Sequence, residues 1–139
     1  MASKQKKYGD GTEFIRFFTF NDSEANLDLT NSLCYTIDHT YHDIEKFWDD
    51  VVLGLKFPDY FGRNWDAFYD CISTGHCYLE TNIYLIHESL PFTQAILNYQ
   101  YLSCLVDSLK SNYSPSSLHV IFRKKLRGQI LTIWDEVDS

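Results

Sequence analysis

The chain has 139 residues and a formal net charge of −7, with 19 acidic side chains against 12 lysines and arginines. That length suits one domain with a real core, the charge repels nucleic-acid backbones and favours a basic partner, and no apolar run approaches the roughly 20 residues that span a bilayer. Residues 1–12 are polar and lysine-bearing, with no apolar run behind them, so they are not read as a secretory signal and the expected location is the cytoplasm.

The elements follow in chain order. Residues 13–20 (EFIRFFTF) are short and aromatic and predict a strand. Residues 21–31 are polar and predict a connection, and residues 33–38 a second strand. A helix comes next. Thr40 or Asp43 offers a capping oxygen, and Ile44, Phe47, Trp48, Val51 and Leu55 recur at helical spacing as its buried face. Gly54 and Pro58 bracket its end, with Phe57 held extended by the proline that follows. A second helical entry starts at Gly62, with Arg63 or Asn64 near its first turn. Trp65, Phe68 and Ile72 form its inward stripe, Phe61 lies just upstream, and Gly75 is the expected stop.

Residues 82–87 (NIYLIH) predict a buried strand. Residues 92–101 and 102–111 predict two helical pieces or one bent piece, 111–117 a loop and 118–122 another strand. Gly128 is expected to break the chain, and 129–134 (QILTIW) to form a last strand. The alternation predicts one α/β domain over 1–139. Its central sheet is largely parallel, carries packed helices, and is extended by extra strands from the two termini, 13–20 and 129–134. Cys34, Cys71, Cys77 and Cys104 are read as thiols, since disulfides belong to oxidising compartments. Cys71 and Cys104 fall in apolar patterns and are expected in the core.

Charge is unevenly placed. Between 57 and 90 the acids Asp59, Asp66, Asp70, Glu80 and Glu88 face a single base, Arg63, whereas bases gather at Lys4, Lys6 and Lys7 and at Arg123, Lys124, Lys125 and Arg127. Asp66 and Asp70 are four apart, so a helix projects both from one face. Asp66, near the N-terminal turn, gains more from the helix dipole than Asp70. Two like charges kept this close on an exposed face suit a meeting with cations.

The stretch 57–72 reads FPDYFGRNWDAFYDCI. It resembles the barstar family of ribonuclease inhibitors, whose signature is a proline, an aromatic pair, a glycine, an asparagine, then Asp-Ala and a later Asp-Cys. Pro58, Tyr60, Phe61, Gly62, Asn64, Asp66, Ala67, Asp70 and Cys71 match in register, nine of fourteen positions. The resemblance extends over about 33–122. It implies a non-catalytic protein that occludes the active site of a cytotoxic ribonuclease in a 1:1 complex, as an immunity protein of a toxin–antitoxin pair, with no cofactor, nucleic acid or membrane involved.

By the same resemblance, Asp70 inserts deepest as a phosphate mimic, Asp66 holds a second basic group, and Tyr60 stacks on a ring of the partner. Phe61, Gly62 and Asn64 belong to the same contact surface, Tyr69 lies at its rim, and Asp107 on the later helix adds an acidic contact. Departures from the pattern are Arg63 where the family carries an acid, Trp65 for a leucine, Tyr69 for a tryptophan, and His76 for a further tryptophan. These put the identity of the partner in doubt, so the same face used on a toxin of different chemistry, or on a host protein, is the alternative.

Other readings are weaker. Two carboxylates one helical turn apart do not by themselves flank a substrate as a general acid and base, and the chain carries no nucleophile elbow or phosphate loop. His39 with His42, or Cys71 with His76 and Cys77, are fragments lacking the second half of a zinc set. His87 and His119, inside apolar runs, are expected as satisfied core or edge histidines.

Overall fold

The structure is a computed structural model, and it describes residues 14–25, 27–74, 82–111 and 117–138. Four parallel strands, β1 (Thr19–Phe20), β2 (Ser32–Ile37), β3 (Asn82–His87) and β4 (Ser117–Phe122), lie in the order β1-β4-β3-β2. Between β2 and β3 come α1 (Ile44–Gly54) and α2 (Trp65–Thr74). Helix α3 (Ala95–Ser111) joins β3 to β4, and a 3₁₀ turn (Lys124–Leu126) leads into α4 (Arg127–Asp138). This is the α/β architecture with a parallel sheet that the alternating pattern predicts.

Alternation along the strands sorts residues to two faces. Leu33, Tyr35 and Ile37 of β2, Ile83 and Leu85 of β3, and Leu118, Val120 and Phe122 of β4 join the main core with the helices. Tyr84, Ile86 and Ile121 point to the opposite face, where Leu27 of the β1–β2 connection packs on them. The Tyr84 hydroxyl accepts a bond from the Asp28 N–H at 3.2 Å, fixing that connection across the sheet.

Asp43, not Thr40, caps α1: its Oδ1 accepts from the Glu45 N–H at 2.9 Å. Thr40 instead donates to the Leu90 carbonyl. The expected buried face of α1 is realised by Phe47, Trp48, Val51 and Leu55, with Ile44 half-buried. The span 95–111 is one continuous helix rather than two pieces. Its start is set by buried Asn98, whose side chain bonds both the N–H and the carbonyl of Phe92, at 2.9 and 2.8 Å.

Two expectations are overturned. Residues 129–134 are not a strand but the middle of α4, and Gly128 lies inside that helix without breaking it. A short apolar run does not distinguish strand from helix by itself. Here Ile130, Ile133 and Trp134 are all buried at helical spacing, while Thr132 turns back to bond the Gly128 carbonyl. Of 13–20, residue 13 lies outside the described residues, and among 14–20 only Thr19–Phe20 pairs as strand; Phe14 and Ile15 are helical, and a turn bond from the Phe18 N–H to the Ile15 carbonyl follows. Phe14, Ile15 and Phe18 are each buried, so core packing overrides the β propensity of this aromatic run. Gly75, Cys77 and residues 112–116 of the expected loop lie outside the described residues. Cys71 and Cys104 are buried free thiols, as expected, and Cys34 is an exposed one.

The sheet's carboxyl edge is tied by Arg123, the residue after β4. Its guanidinium bonds Glu88 just past β3 at 2.5 Å, Glu24 on the β1–β2 connection, and the Asn21 carbonyl just past β1 at 3.2 Å. At the end of β3, fully buried His87 stacks on Phe122 with ring centroids 4.1 Å apart. Its Nδ1 donates to the Ile121 carbonyl at 2.9 Å, and its Nε2 accepts from the Tyr101 hydroxyl at 2.6 Å. It is a satisfied core histidine, as its apolar run suggests. Burial pushes its pKa down to about 4, against the opposing pull of the Ile121 carbonyl.

The unfolded chain takes up a proton at this imidazole near pH 6.5, but the folded chain does so only near 4. Stability is therefore complete above about pH 6.5 and is lost as pH falls toward 4. Urea titrations at pH 7 and 4.5 are expected to differ by about 2–3 kcal/mol from this group. His87→Gln, which keeps a donor and an acceptor, should flatten that dependence.

Candidate partner-binding site

Helix α2 is rotated by its apolar stripe. Phe68 and Ile72 are buried, Cys71 beside them nearly so, and Trp65 is half-buried. Phe68 sits among Phe47, Trp48, Phe57 and Tyr101, with centroids 5.8 to 6.4 Å away. Trp65 leans on Trp48 at 5.0 Å, and its indole N–H donates to Gln100 of α3 at 2.9 Å. With these rings turned inward, Asp66 and Asp70 both emerge exposed.

The turn before α2 is fixed locally. Asn64 is the N-cap: its Oδ1 accepts from the Ala67 N–H at 2.8 Å, and its Nδ2 donates to the Gly62 carbonyl at 3.1 Å. Gly62 leaves room for this fold-back, since a Cβ there would come within 3.2 Å of Asn64 Nδ2. Arg63 takes the left-handed conformation, φ 53°, uncommon for any residue but glycine. It is held there from α1: its guanidinium bonds Asp49 at 2.7 Å, Glu45 Oε2 at 3.1 Å and the Glu45 carbonyl at 2.9 Å. The one cation of this acidic stretch is thus engaged with α1. Among the described residues, no ion pair involves Asp66.

The remaining sequence-predicted residues divide into two groups. Tyr60, in the loop before α2, is 85% exposed. Phe61 turns inward instead, half-buried against Phe57 at 4.8 Å and Trp48 at 5.5 Å. Asp66, Tyr69 and Asp107 meet along a groove of about 590 Å³ between α2 and α3. Asp70 lies one turn along α2 from Asp66, outside that lining. His76 lies outside the described residues.

The sequence reading missed the α3 wall of the groove, made by Tyr99, Gln100, Ser103 and Lys110 with Asp107. A signal for it was present: these polar side chains recur along one line of an otherwise apolar helix. The reading of Trp65 as core was half right, because the groove exposes one edge of it.

Comparison with known proteins places the chain in a family. The family model described as "Barstar (barnase inhibitor)" matches residues 33–124. The chain belongs to the barstar family. A Bacillus subtilis (strain 168) protein named "Putative ribonuclease inhibitor YrdF" is 33% identical over 81 residues, covering 58% of this chain and 71% of its own length. No solved structure matches with significance. The barstar match takes in β2 to β4 and stops before α4, so α4 and the chain before β2 lie outside it. The family's description makes this chain's expected role that of an inhibitor rather than an enzyme. No described helix is long and apolar enough to cross a membrane.

The cap gives a direct test of how the site is held. Asn64→Ala should cost about 1 kcal/mol of stability, read as a lower urea midpoint at unchanged slope. Asn64→Asp, which keeps the accepting oxygen, should recover most of that loss.

Proposed function

We propose that this protein inhibits a ribonuclease stoichiometrically, by inserting carboxylates of α2 into the enzyme's basic active site. A ribonuclease pocket is shaped by Arg, Lys and His to hold phosphate, and an aspartate entering it accepts the same charge-assisted, bidentate bonds. In this reading Asp70 enters deepest and Asp66 meets a second basic group. Exposed Tyr60 stacks on a ring of the enzyme, Gly62 and Asn64 contribute polar contacts, and Phe61, packed on Phe57 and Trp48, anchors the loop that carries them. Tyr69 and Asp107 extend the contact along the groove. Where the ribonuclease is a toxin of the producing cell, the protein acts as its immunity partner.

The observation that carries this reading is the exposure of Asp66 and Asp70 on one face of a helix whose nearby cation, Arg63, is bound to α1. No turnover or cofactor is required. The face works by charge and shape alone.

The decisive experiment is to recover the bound partner from the native cell and assay its RNA cleavage with increasing amounts of this protein. Cleavage should stop at one equivalent. A partner with no ribonuclease activity, or one still active in the complex, would refute the proposal.

Asp70→Ala should weaken the complex by about 2 kcal/mol or more, the range for desolvated interface charges, which was defined in part on a complex of this same family. Glu136→Ala on the remote helix α4 should stay within about 0.5 kcal/mol. Calorimetric titration of both variants checks this, and equal small losses would place the contact elsewhere. The association rate should also fall as salt is raised, because steering acts between exposed fields; stopped-flow mixing across a salt series reads it directly.

A further inference from the structure

The two edges of the sheet differ. At one edge β1 pairs over two residues, whereas at the other β2 runs for six, Ser32–Ile37. The carbonyls of Asn31 and Ile37 accept from the N–H groups of Asn82 and Glu88, at the two ends of β3. Alternate residues of a parallel ladder turn to the same side. The odd residues of β2 therefore bond β3, and the even ones, Ser32, Cys34 and Thr36, aim their N–H and C=O groups outward. Among the described residues, no strand pairs with that outer side. Natural edges of this length are guarded by Lys, Pro, a bulge or an inward charge. The run SLCYTI, in unbroken register with β3, has none of these.

Apolar surface collects beside the edge. Leu33 and Tyr35 are half-buried on the helix side, and Leu53 of α1 is 81% exposed. A Cβ on Gly54 would fall 2.3 Å from the Tyr35 ring, so the end of α1 lies against the strand. Tyr35, Leu53 and Gly54 line a cavity of about 420 Å³ there. On the opposite face of β2, Cys34 is an exposed thiol and Thr36 is exposed beside it.

We propose that this edge is an interface for a second copy of the chain, with the two β2 strands antiparallel about a two-fold axis at Cys34. The outward groups select that register. Cys34 faces Cys34 of the second copy and Ser32 faces Thr36, each pair exchanging both backbone bonds. At the closer positions between them Leu33 meets Tyr35, an aliphatic–aromatic pair. No charge opposes its like: Asp38 falls beside Thr30, about 27 Å along the strands from the other Asp38. The strand thus matches itself, as a two-fold interface requires. One strand pair is small beside specific interfaces of roughly 1,200–2,000 Å², so the dimer is a weak one that forms as concentration rises. None of 32–37 lines the α2–α3 groove, which is left open in each copy. The contact stands independently of the inhibitor reading.

Sedimentation of the full-length chain from micromolar to near-millimolar concentration tests this. A reversible monomer–dimer equilibrium is expected, and salt should tighten it, because two protomers of charge −7 repel each other. Thr36→Pro removes an N–H that faces water in the single chain. Its urea midpoint should hold while the dimer dissociation constant rises at least about tenfold. Cys34→Lys, which sets like charges opposite each other on the axis, should also weaken the dimer. The charge-matched Glu136→Gln on α4 should not. A monomer at every concentration, its edge left for a strand of another protein, would overturn the proposal, as would a dimer indifferent to both edge variants.

Oxidation reads the register. The opposed Cα atoms of Cys34, about 5.5 Å apart in such a pair, fall within the disulfide range. In a Cys77→Ser background, diamide takes two electrons and two protons from two thiols as one S–S bond forms. Mass spectrometry of the dimer should show Cys34 joined to Cys34, with the link lost in Thr36→Pro, which keeps the thiol. An undiminished link in that variant, or no link in the parent, would overturn the proposed pairing.

Discussion

The rotation of α2 about its axis is the constraint on which the candidate site depends. Burying Phe68 and Ile72 contributes about 1.5–3 kcal/mol each, and both are almost wholly out of water. Turning the helix by one residue would expose them and drive an aspartate toward the rings of Phe47, Trp48 and Tyr101. An unpaired carboxylate in such surroundings costs several kcal/mol more. The two terms point the same way, so the direction of Asp66 and Asp70 follows from the core. This is what preorganisation requires of a surface that offers charge to a partner: its geometry is fixed before binding, and little ordering cost is left for the encounter.

The loop before α2 serves the same end by different means. Arg63 would otherwise set a guanidinium next to two carboxylates and cancel part of their field. Its left-handed backbone and its three bonds to α1 direct the charge to Glu45 and Asp49. The charge of Arg63 is thereby absorbed within the molecule. Farther away, Asn98 fixes the start of α3, and Arg123 joins the ends of three strands. The platform under α2 and α3 is held at that edge by polar bonds as well as by packing.

The legible parts of the sequence were those with a strong local signal. The run at 82–87 is β3 to the residue, because six residues bounded by polar flanks fit a strand buried on both faces. The capped amphipathic pattern at 43–54 is α1, and the signature at 58–71 led both to α2 and to the family. The failures came where apolar content was rich and period ambiguous. Residues 129–134 contain Ile, Leu and Trp in a run short enough for a strand, and only their packing against α3 makes them helix. Residues 13–20 are β-forming one by one, yet Phe14 is drawn under Trp134. The groove was hidden for another reason: its two walls are 35 residues apart in sequence at the Trp65–Gln100 bond, and the spacing within either helix does not reveal that they face each other.

The arrangement of the strands has a consequence for how the molecule comes into being. β2 and β3, with α1 and α2 between them, lie within residues 32–87, whereas β1 must wait for β4, and the bond from Arg123 to Asn21 spans 102 positions. Contacts between distant segments carry the larger loop-closure cost and form late. As the polypeptide leaves the ribosome, α2 gains the α3 side chains it packs on, Gln100 and Tyr101, while β4, α4 and the Arg123 clamp are still unmade. The face that carries the paired aspartates is thus laid down by the end of α3 at Ser111, and the residues after it supply durability.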